Sequence, residues 1–184
     1  MDRPVRKDIR LDNYDYSRNG AYFVTICTHN KMCIFWADND KYKPFADKKP
    51  PIVGAHSVRP QNDRKIHLSE FGIAVKNSIK IILSHYPMVH FDKYVIMPNH
   101  IHAIIRIATD NVAIATGGRT MCAPTLSLII KHFKEFVTKE IGFSVWQRSF
   151  YDRILRNERE YRSAWQYIEN NPENWENDEL FCKE

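Results

Sequence analysis

The strongest constraint on the fold is a pair of apolar segments at residues 89–97 and 100–108. Both segments are rich in Val, Ile and aromatic side chains, which favour β-strands. Only Pro98 and Asn99 separate them, and a connection of this length is typical of a tight antiparallel hairpin. The sequence therefore predicts an antiparallel sheet, and the remaining elements must pack around this hairpin.

One strand and one helix are predicted before the hairpin. Residues 21–28 combine β-branched and aromatic side chains, which predicts a buried strand. Residues 69–86 repeat apolar side chains at helical spacing and begin with Ser69, a residue type that caps helix N-termini. This second segment is therefore predicted to be an amphipathic helix that packs against the sheet.

The part of the chain after the hairpin contains two more helical patterns and one extended segment. A helix is predicted from Pro124 to Gly142, since these residue types favour helix starts and ends respectively. Residues 145–154 mix aromatic and polar side chains and indicate a strand or an extended connection. A last helix is predicted from about Glu158 until Pro172 stops it.

The resulting order is strand, helix, hairpin, helix, strand, helix. With the first helix as a crossover between core strands, this order predicts an α+β fold of the ferredoxin-like type, an antiparallel sheet with helices on one face. The length of 184 residues fits a single domain over residues 1–184. Residues 37–66 and 109–122 carry turn-forming and polar residues, and we expect them to be insertions.

Composition excludes several classes of protein. No apolar run approaches the roughly 20 residues that cross a bilayer, and the N-terminal residues lack the apolar core of a signal peptide. The four cysteines show no CxxC pairing, which argues against a zinc ribbon. We therefore expect reduced thiols, a cytoplasmic location and no membrane partner.

The charge distribution points to a polyanionic partner. The net charge is +5, yet residues 164–184 hold six acidic residues and one lysine. The body of the chain is therefore more basic than the total suggests. Lys and Arg neutralise phosphates with release of counterions, so nucleic acid is a candidate partner. A solvated positive face is the alternative that charge alone leaves open.

The first candidate for chemistry is His100-Ile101-His102. In a strand, residues i and i+2 point to the same face, so both imidazoles project together. Two adjacent imidazoles can hold a divalent metal ion. The residues alone leave a second reading open, in which this is a pair of exposed or hydrogen-bonded histidines without a metal.

The second candidate is Tyr167 with Asn171. Residues i and i+4 of a helix share a face, so a phenol and an amide would stand side by side. A tyrosine hydroxyl can act as a covalent nucleophile when a metal ion and its phosphate ligand orient it. The alternative is a tyrosine buried against the sheet.

Two stretches resemble a known family. Residues 94–107 and 145–172 look like the single-tyrosine HUH transposases of bacterial insertion sequences, and more closely like the REP-associated tyrosine transposases. The HUH signature stands here as His100-Ile101-His102. The second group's motifs match Trp146, Gln147, Phe150, Asp152, Arg156, Tyr167, Ile168, Asn171 and Pro172. The resemblance covers most of the chain but neither predicted insertion.

The resemblance implies an enzyme that nicks and rejoins single-stranded DNA bearing hairpins. It implies Mg²⁺ or Mn²⁺ held by His100, His102 and Asn171, with Tyr167 as the nucleophile. It further implies a 5′-phosphotyrosine intermediate, and it leaves the oligomeric state open between monomer and homodimer. Tyr151 and Tyr161 are rival tyrosines, although Tyr161 lies six residues before Tyr167 and so points to another face of the helix.

Basic and aromatic residues near these motifs are candidates for DNA contacts. Lysines and arginines can contact the phosphate backbone, and aromatic rings can stack on unpaired bases or belong to the core. The candidates are Lys131, Lys134, Lys139, Arg148, Arg153, Arg156, Trp146, Phe150 and Tyr151.

Two other functions remain compatible with the residues. A noncatalytic module that binds RNA or single-stranded DNA could share the ferredoxin-like fold, but such a module has no use for the combined histidine, tyrosine and asparagine set. A metal-dependent phosphodiesterase could use His100 and His102 without Tyr167.

Overall fold

A computed structural model describes residues 19–37, 67–108 and 124–182. Among these residues the strands are β1 (Gly20–Cys27), β2 (Val89–Ile96), β3 (His100–Ile107) and β4 (Tyr151–Leu155). The helices are α1 (Glu70–His85), α2 (Leu126–Ile141) and α3 (Glu158–Asn170). Short 3₁₀ turns lie at His29–Lys31 and Trp175–Asn177.

The strands of the described residues form one antiparallel sheet in the order β2-β3-β1-β4. β2 and β3 are the predicted hairpin, with Ile96 paired to Ile101 across the Pro98-Asn99 turn. β1 lies at the centre, between β3 and β4. Because α1 connects β1 to β2 across the intervening β3, the topology is the predicted ferredoxin-like plan, which is confirmed.

The helix ends follow the residue types at their boundaries. The Ser69 side chain accepts a hydrogen bond from the Gly72 N–H and so caps α1. Gly142 follows α2 with a φ of 89°, a left-handed conformation that glycine adopts without steric cost. The Asn157 side chain accepts from the Glu160 N–H and caps α3. Local signals thus place these three boundaries.

One face of the sheet carries the larger apolar core, because alternate strand residues point toward α1 and α2. Tyr22, Val24 and Ile26 of β1 are buried there. Ile101 and Ile105 of β3 lie in the same cluster. Both helices contribute further buried residues, namely Val75, Ile79, Ile82, Ile129, Ile130, Phe133 and Val137.

The third helix adds a layer on the opposite face of the sheet. Ala164 and Ile168 of α3 pack against Phe23 of β1 and Ile104 of β3 in a second, smaller cluster. These strand residues alternate with those of the larger core. The one-face arrangement therefore holds for α1 and α2, while α3 covers the face to which His100 and His102 belong.

Both predicted insertions, at residues 37–66 and 109–122, lie outside the described residues apart from Ala37. In the described parts of the chain, every helix is too short or too polar to cross a bilayer.

Candidate active site

His100 and His102 lie at the start of β3 and project from the face that α3 covers. Both side chains are buried, with exposed fractions of 0% and 3%. Their Nε2 atoms are 2.9 Å apart. The predicted convergence of the two imidazoles is therefore present, and it follows directly from the two-residue period of the strand.

Each imidazole has a second polar partner at its other ring nitrogen. His100 Nδ1 lies 2.7 Å from the Asn99 side-chain oxygen, and His102 Nδ1 lies 2.9 Å from Thr25 Oγ1. Burial lowers the pKa of His100 to about 4 and that of His102 to about 3. Both rings are therefore neutral near pH 7, which is the form that binds metal ions.

Tyr167 reaches the same place from α3. Its hydroxyl lies 3.4 Å from His102 Nε2 and 3.4 Å from Asp178 Oδ2. Its ring packs edge-on against the rings of His102 and Phe23, and 47% of the residue is exposed. Partial burial and the nearby Asp178 carboxylate raise the pKa of Tyr167 to about 12, so the phenol is protonated at neutral pH.

Asn171 follows the last residue of α3 and is buried, with 4% exposed. Its side-chain N–H donates to Asp178 Oδ2 at 2.9 Å. Its side-chain oxygen is buried without a hydrogen-bond partner among the described residues. Because a buried amide oxygen without a partner is costly, this atom is available for a ligand.

Asp178 completes the cluster, and no motif in the sequence predicted it. Ligand atoms of His100, His102 and Asp178 all lie within 4.8 Å of one another. Burial acts to raise the pKa of Asp178, but hydrogen bonds from Asn171 and from the Leu180 N–H outweigh it, and the pKa lies below its ordinary value. In the sequence, Asp178 is one of several acids in the C-terminal stretch, and no spacing rule separates it from the others.

These donors fit a divalent metal ion. Two neutral imidazole nitrogens face each other, a carboxylate lies beside them, and the unpartnered Asn171 oxygen is close to that carboxylate. Carboxylate and amide oxygens suit Mg²⁺ and Mn²⁺, and imidazole extends the range to other transition metals. Asp178 adds a negative charge to the uncharged set of His100, His102 and Asn171.

Comparison with known proteins identifies the family of this chain. Residues 54–171 match the family described as transposase, IS200-like. The chain belongs to the IS200-like transposase family. The predicted resemblance to single-tyrosine transposases is thereby confirmed, and the matched span includes His100, His102, Tyr167 and Asn171.

One curated protein and one solved structure extend the comparison. An uncharacterized protein of Haemophilus influenzae is 34% identical over 191 residues, which cover 96% of this chain and 93% of that protein. The solved structure of a REP-associated tyrosine transposase bound to a REP hairpin has a TM-score of 0.54 at 17% identity, covering 90% of this chain and 74% of that one. At this identity the second match supports the shared fold.

An open cleft of about 650 Å³ extends from His102 between α3 and the edge strand β4. Tyr167 and Asp178 are among the residues that line it. Tyr151 and Arg153 of β4 also line it, and both are exposed. Two of the predicted DNA-contact residues are thus placed beside the predicted nucleophile.

The other predicted DNA-contact residues lie elsewhere. Arg148 and Arg156 are exposed outside the cleft lining. Lys131 pairs with Glu135 on α2, the helix on the opposite face of the sheet. Lys134 Nζ donates to the Gln147 and Ser149 carbonyls, and its burial lowers its pKa to about 8.

Trp146 requires a correction. Only 7% of it is exposed, and its ring packs against Phe35 and Phe133 in the larger core. A buried ring cannot stack on a base, so of the two roles left open by the sequence, Trp146 has the core role. The rival Tyr161 donates its hydroxyl to Asp92 Oδ2 at 3.0 Å, away from the histidines.

Proposed function

We propose that this transposase cleaves and rejoins single-stranded DNA bearing hairpins through a 5′-phosphotyrosine intermediate on Tyr167. The observation that carries the proposal is the 3.4 Å separation of the Tyr167 hydroxyl from His102 Nε2, two groups that are 65 residues apart in the chain. A noncatalytic binding module has no need for a nucleophile at that position.

The metal-binding residues of the proposal are His100, His102 and Asn171, with Asp178 as an additional oxygen donor. The neutral imidazoles and the unpartnered amide oxygen support this assignment. A bound Mg²⁺ or Mn²⁺ would polarise a non-bridging phosphate oxygen and stabilise the charge that develops during attack.

Tyr167 supplies the covalent chemistry. Its oxygen attacks the scissile phosphorus, and the tyrosine–phosphate bond forms as the bond to the 3′-oxygen breaks. The phenolic proton is lost to solvent, and the leaving oxygen takes up a proton from solvent to become the 3′-hydroxyl of the upstream strand. Before the attack, the phenolic proton is held toward Asp178 Oδ2. Because the phosphotyrosine retains the energy of the broken bond, a second 3′-hydroxyl can reverse the step and join strands without a nucleotide cofactor.

The choice of a hairpin-bearing single strand rests on the fold and on the cleft. The REP-associated tyrosine transposase whose fold this chain shares was solved bound to a REP hairpin. In this chain the exposed Tyr151 ring and the Arg153 guanidinium border the cleft beside Tyr167. An aromatic ring and a cation at one opening suit a base and a phosphate of an unpaired strand.

The test is the formation of a covalent adduct. Purified protein, single-stranded hairpin DNA and Mg²⁺ or Mn²⁺ are expected to give a protein–DNA species that survives denaturing gel electrophoresis. Chelator and Tyr167→Phe should each abolish it, since one removes the ion and the other the nucleophilic oxygen. Tyr151→Phe and Tyr161→Phe are the matched controls and should retain adduct.

Binding should persist where chemistry is lost. Tyr167→Phe is expected to bind the same DNA as well as wild type, with affinity that falls steeply with salt. An adduct that persists in Tyr167→Phe and disappears in Tyr151→Phe would move the nucleophile to Tyr151. Cleavage that releases free ends in every tyrosine variant would replace the proposal with a metal-dependent phosphodiesterase, and DNA binding without cleavage would leave a binding module.

A further inference from the structure

Two cysteines that are far apart in the sequence meet at one backbone carbonyl. The sulfur of Cys33 lies 3.7 Å from the Lys31 carbonyl oxygen, and the sulfur of Cys182 lies 3.2 Å from the same oxygen. The two thiols also hydrogen-bond with each other. Their sulfur atoms are therefore in contact in the reduced protein, and side chains that already touch can be bridged without the backbone movement that distant cysteines require.

Cys33 is the firmly held member of the pair. It is 8% exposed, and the two residues that follow it, Ile34 and Phe35, belong to the larger apolar core. The Phe35 N–H donates to the Pro98 carbonyl at 3.0 Å, which fixes this part of the chain to the turn between β2 and β3. Cys33 thus stands on a rigid part of the fold.

Cys182 belongs to residues 175–182, the segment that follows α3. The side-chain N–H groups of Asn99 donate to the Leu180 carbonyl at 2.9 Å and to the Cys182 sulfur at 3.2 Å. These contacts are noncovalent, and a segment held by a few of them can open locally without unfolding of the core. A covalent bond at Cys182 would remove that freedom.

The position of this segment matters because it covers the histidines. The Trp175 ring packs against the ring of His100. The Asp178 carboxylate lies within 4.8 Å of the ligand atoms of His100 and His102. A tie at Cys182 therefore holds both of these side chains over the buried cluster.

The two thiols differ in reactivity, which gives the oxidation an order. Burial and the neighbouring Cys182 raise the pKa of the Cys33 thiol to about 12, so this thiol is protonated and a poor nucleophile on its own. Cys182 is only partly buried, so a small oxidant reaches it first. Cys33 then lies in place to react with the oxidised sulfur.

We propose that Cys33 and Cys182 are a redox modification site, at which a peroxide forms a disulfide that ties residues 175–182 to the loop after β1. The Cys182 thiol takes one oxygen from hydrogen peroxide and becomes a sulfenic acid, with release of one water. The Cys33 sulfur attacks that sulfur and loses its proton, and the hydroxyl group leaves as a second water. The two thiols give up two electrons, and the peroxide is reduced to water.

The test is disulfide mapping on the full chain without metal or DNA. The reduced protein is treated with hydrogen peroxide, digested without reductant and analysed by mass spectrometry. Wild type is expected to give a linked pair of peptides that contain Cys33 and Cys182, lighter by two hydrogen atoms than the separate peptides, and dithiothreitol should separate them. Cys27→Ser and Cys122→Ser are the matched controls and should keep this link, whereas Cys182→Ser should lose it.

A pairing of Cys182 mainly with Cys27 or Cys122, or no disulfide at all after peroxide treatment, would overturn the proposal. Hydrogen exchange supplies a second readout. Amide exchange in residues 175–182 should slow about 10-fold or more in the oxidised wild type relative to the reduced wild type. Peroxide-treated Cys182→Ser should show no such slowing, and equal exchange in oxidised and reduced wild type would contradict the tie.

These outcomes are independent of the proposed function, because neither experiment needs an ion, DNA or the Tyr167 nucleophile. A Cys33–Cys182 link in a protein that forms no DNA adduct would support the modification site and reject the covalent mechanism. An adduct in a protein without this link would do the reverse.

Discussion

The two faces of the central sheet are built from alternate residues of the same strands and serve different purposes. On one face, Tyr22, Val24 and Ile26 meet apolar side chains of α1 and α2. On the other, Phe23 packs against α3, while its strand neighbour Thr25 hydrogen-bonds His102. A shift of one residue along β1 therefore separates an apolar core from a polar site.

The difference shows how a small domain can bury a reactive cluster. The face packed by α1 and α2 buries a larger apolar area, which supplies most of the free energy of folding. The face covered by α3 has a smaller apolar cluster and buries His100, His102 and Asn171, which cost free energy unless they are partnered. Substitutions on the face packed by α1 and α2 should therefore change mainly stability, whereas substitutions on the face covered by α3 should change mainly catalysis.

The largest expected effect is the loss of stability when a buried side chain on the apolar face is truncated. Phe133→Ala removes a fully buried ring of α2 and should lower the free energy of unfolding by about 3–5 kcal/mol. Unfolding in denaturant measures this change in the free energy of unfolding. Leu128→Ala, on the same helix but 39% exposed, is the control and should cost much less. Adduct formation should persist in the fraction of Phe133→Ala that is folded, and its loss there would show that the faces are coupled.

The next largest effect is the loss of catalytic rate when a residue on the face that carries the site is replaced. His102→Ala removes a proposed metal ligand and should lower the rate of adduct formation about 100- to 1000-fold, since the ion contributes several kcal/mol to transition-state stabilisation. A gel-based time course with Mn²⁺ measures it. Ile104→Val, two residues along the same face of β3, is the control and should keep nearly the wild-type rate. A His102→Ala rate near wild type would remove His102 from the site.

A smaller effect is expected at Asn171. Its oxygen has no hydrogen-bond partner among the described residues, so Asn171→Ala loses mainly the 2.9 Å hydrogen bond to Asp178. The free energy of unfolding without metal should fall by about 1 kcal/mol, whereas Mn²⁺ affinity should fall about 10-fold by calorimetry. Unchanged Mn²⁺ affinity would assign the oxygen ligand to Asp178 instead.

The smallest effect concerns DNA affinity. Arg153→Ala should reduce the slope of log affinity against log salt by about 1, because one phosphate contact releases about one counterion. Lys131→Ala, on the helix of the opposite face, is the matched comparison and should leave the slope unchanged. Equal reductions in both variants would mean that the DNA contacts both faces of the sheet.

Local residue patterns were sufficient to predict most elements and the histidine pair. The apolar segments around Pro98-Asn99 predicted β2 and β3, and Ser69 and Gly142 predicted where α1 begins and α2 ends. The common face of His100 and His102 follows from strand geometry alone. These features depend on neighbours within a few residues, which is why a sequence pattern can reveal them.

Only the tertiary structure decided which distant residues share the site. Thr25, Asn99 and Asp178 reach the histidines because β1 pairs with β3 and because the segment after α3 returns to the turn at Asn99. The core position of Trp146 and the placement of α3 on the second face were decided in the same way. The physical reason is that such contacts depend on how strands align and helices pack, and many chain positions carry equivalent polar side chains that no local spacing distinguishes.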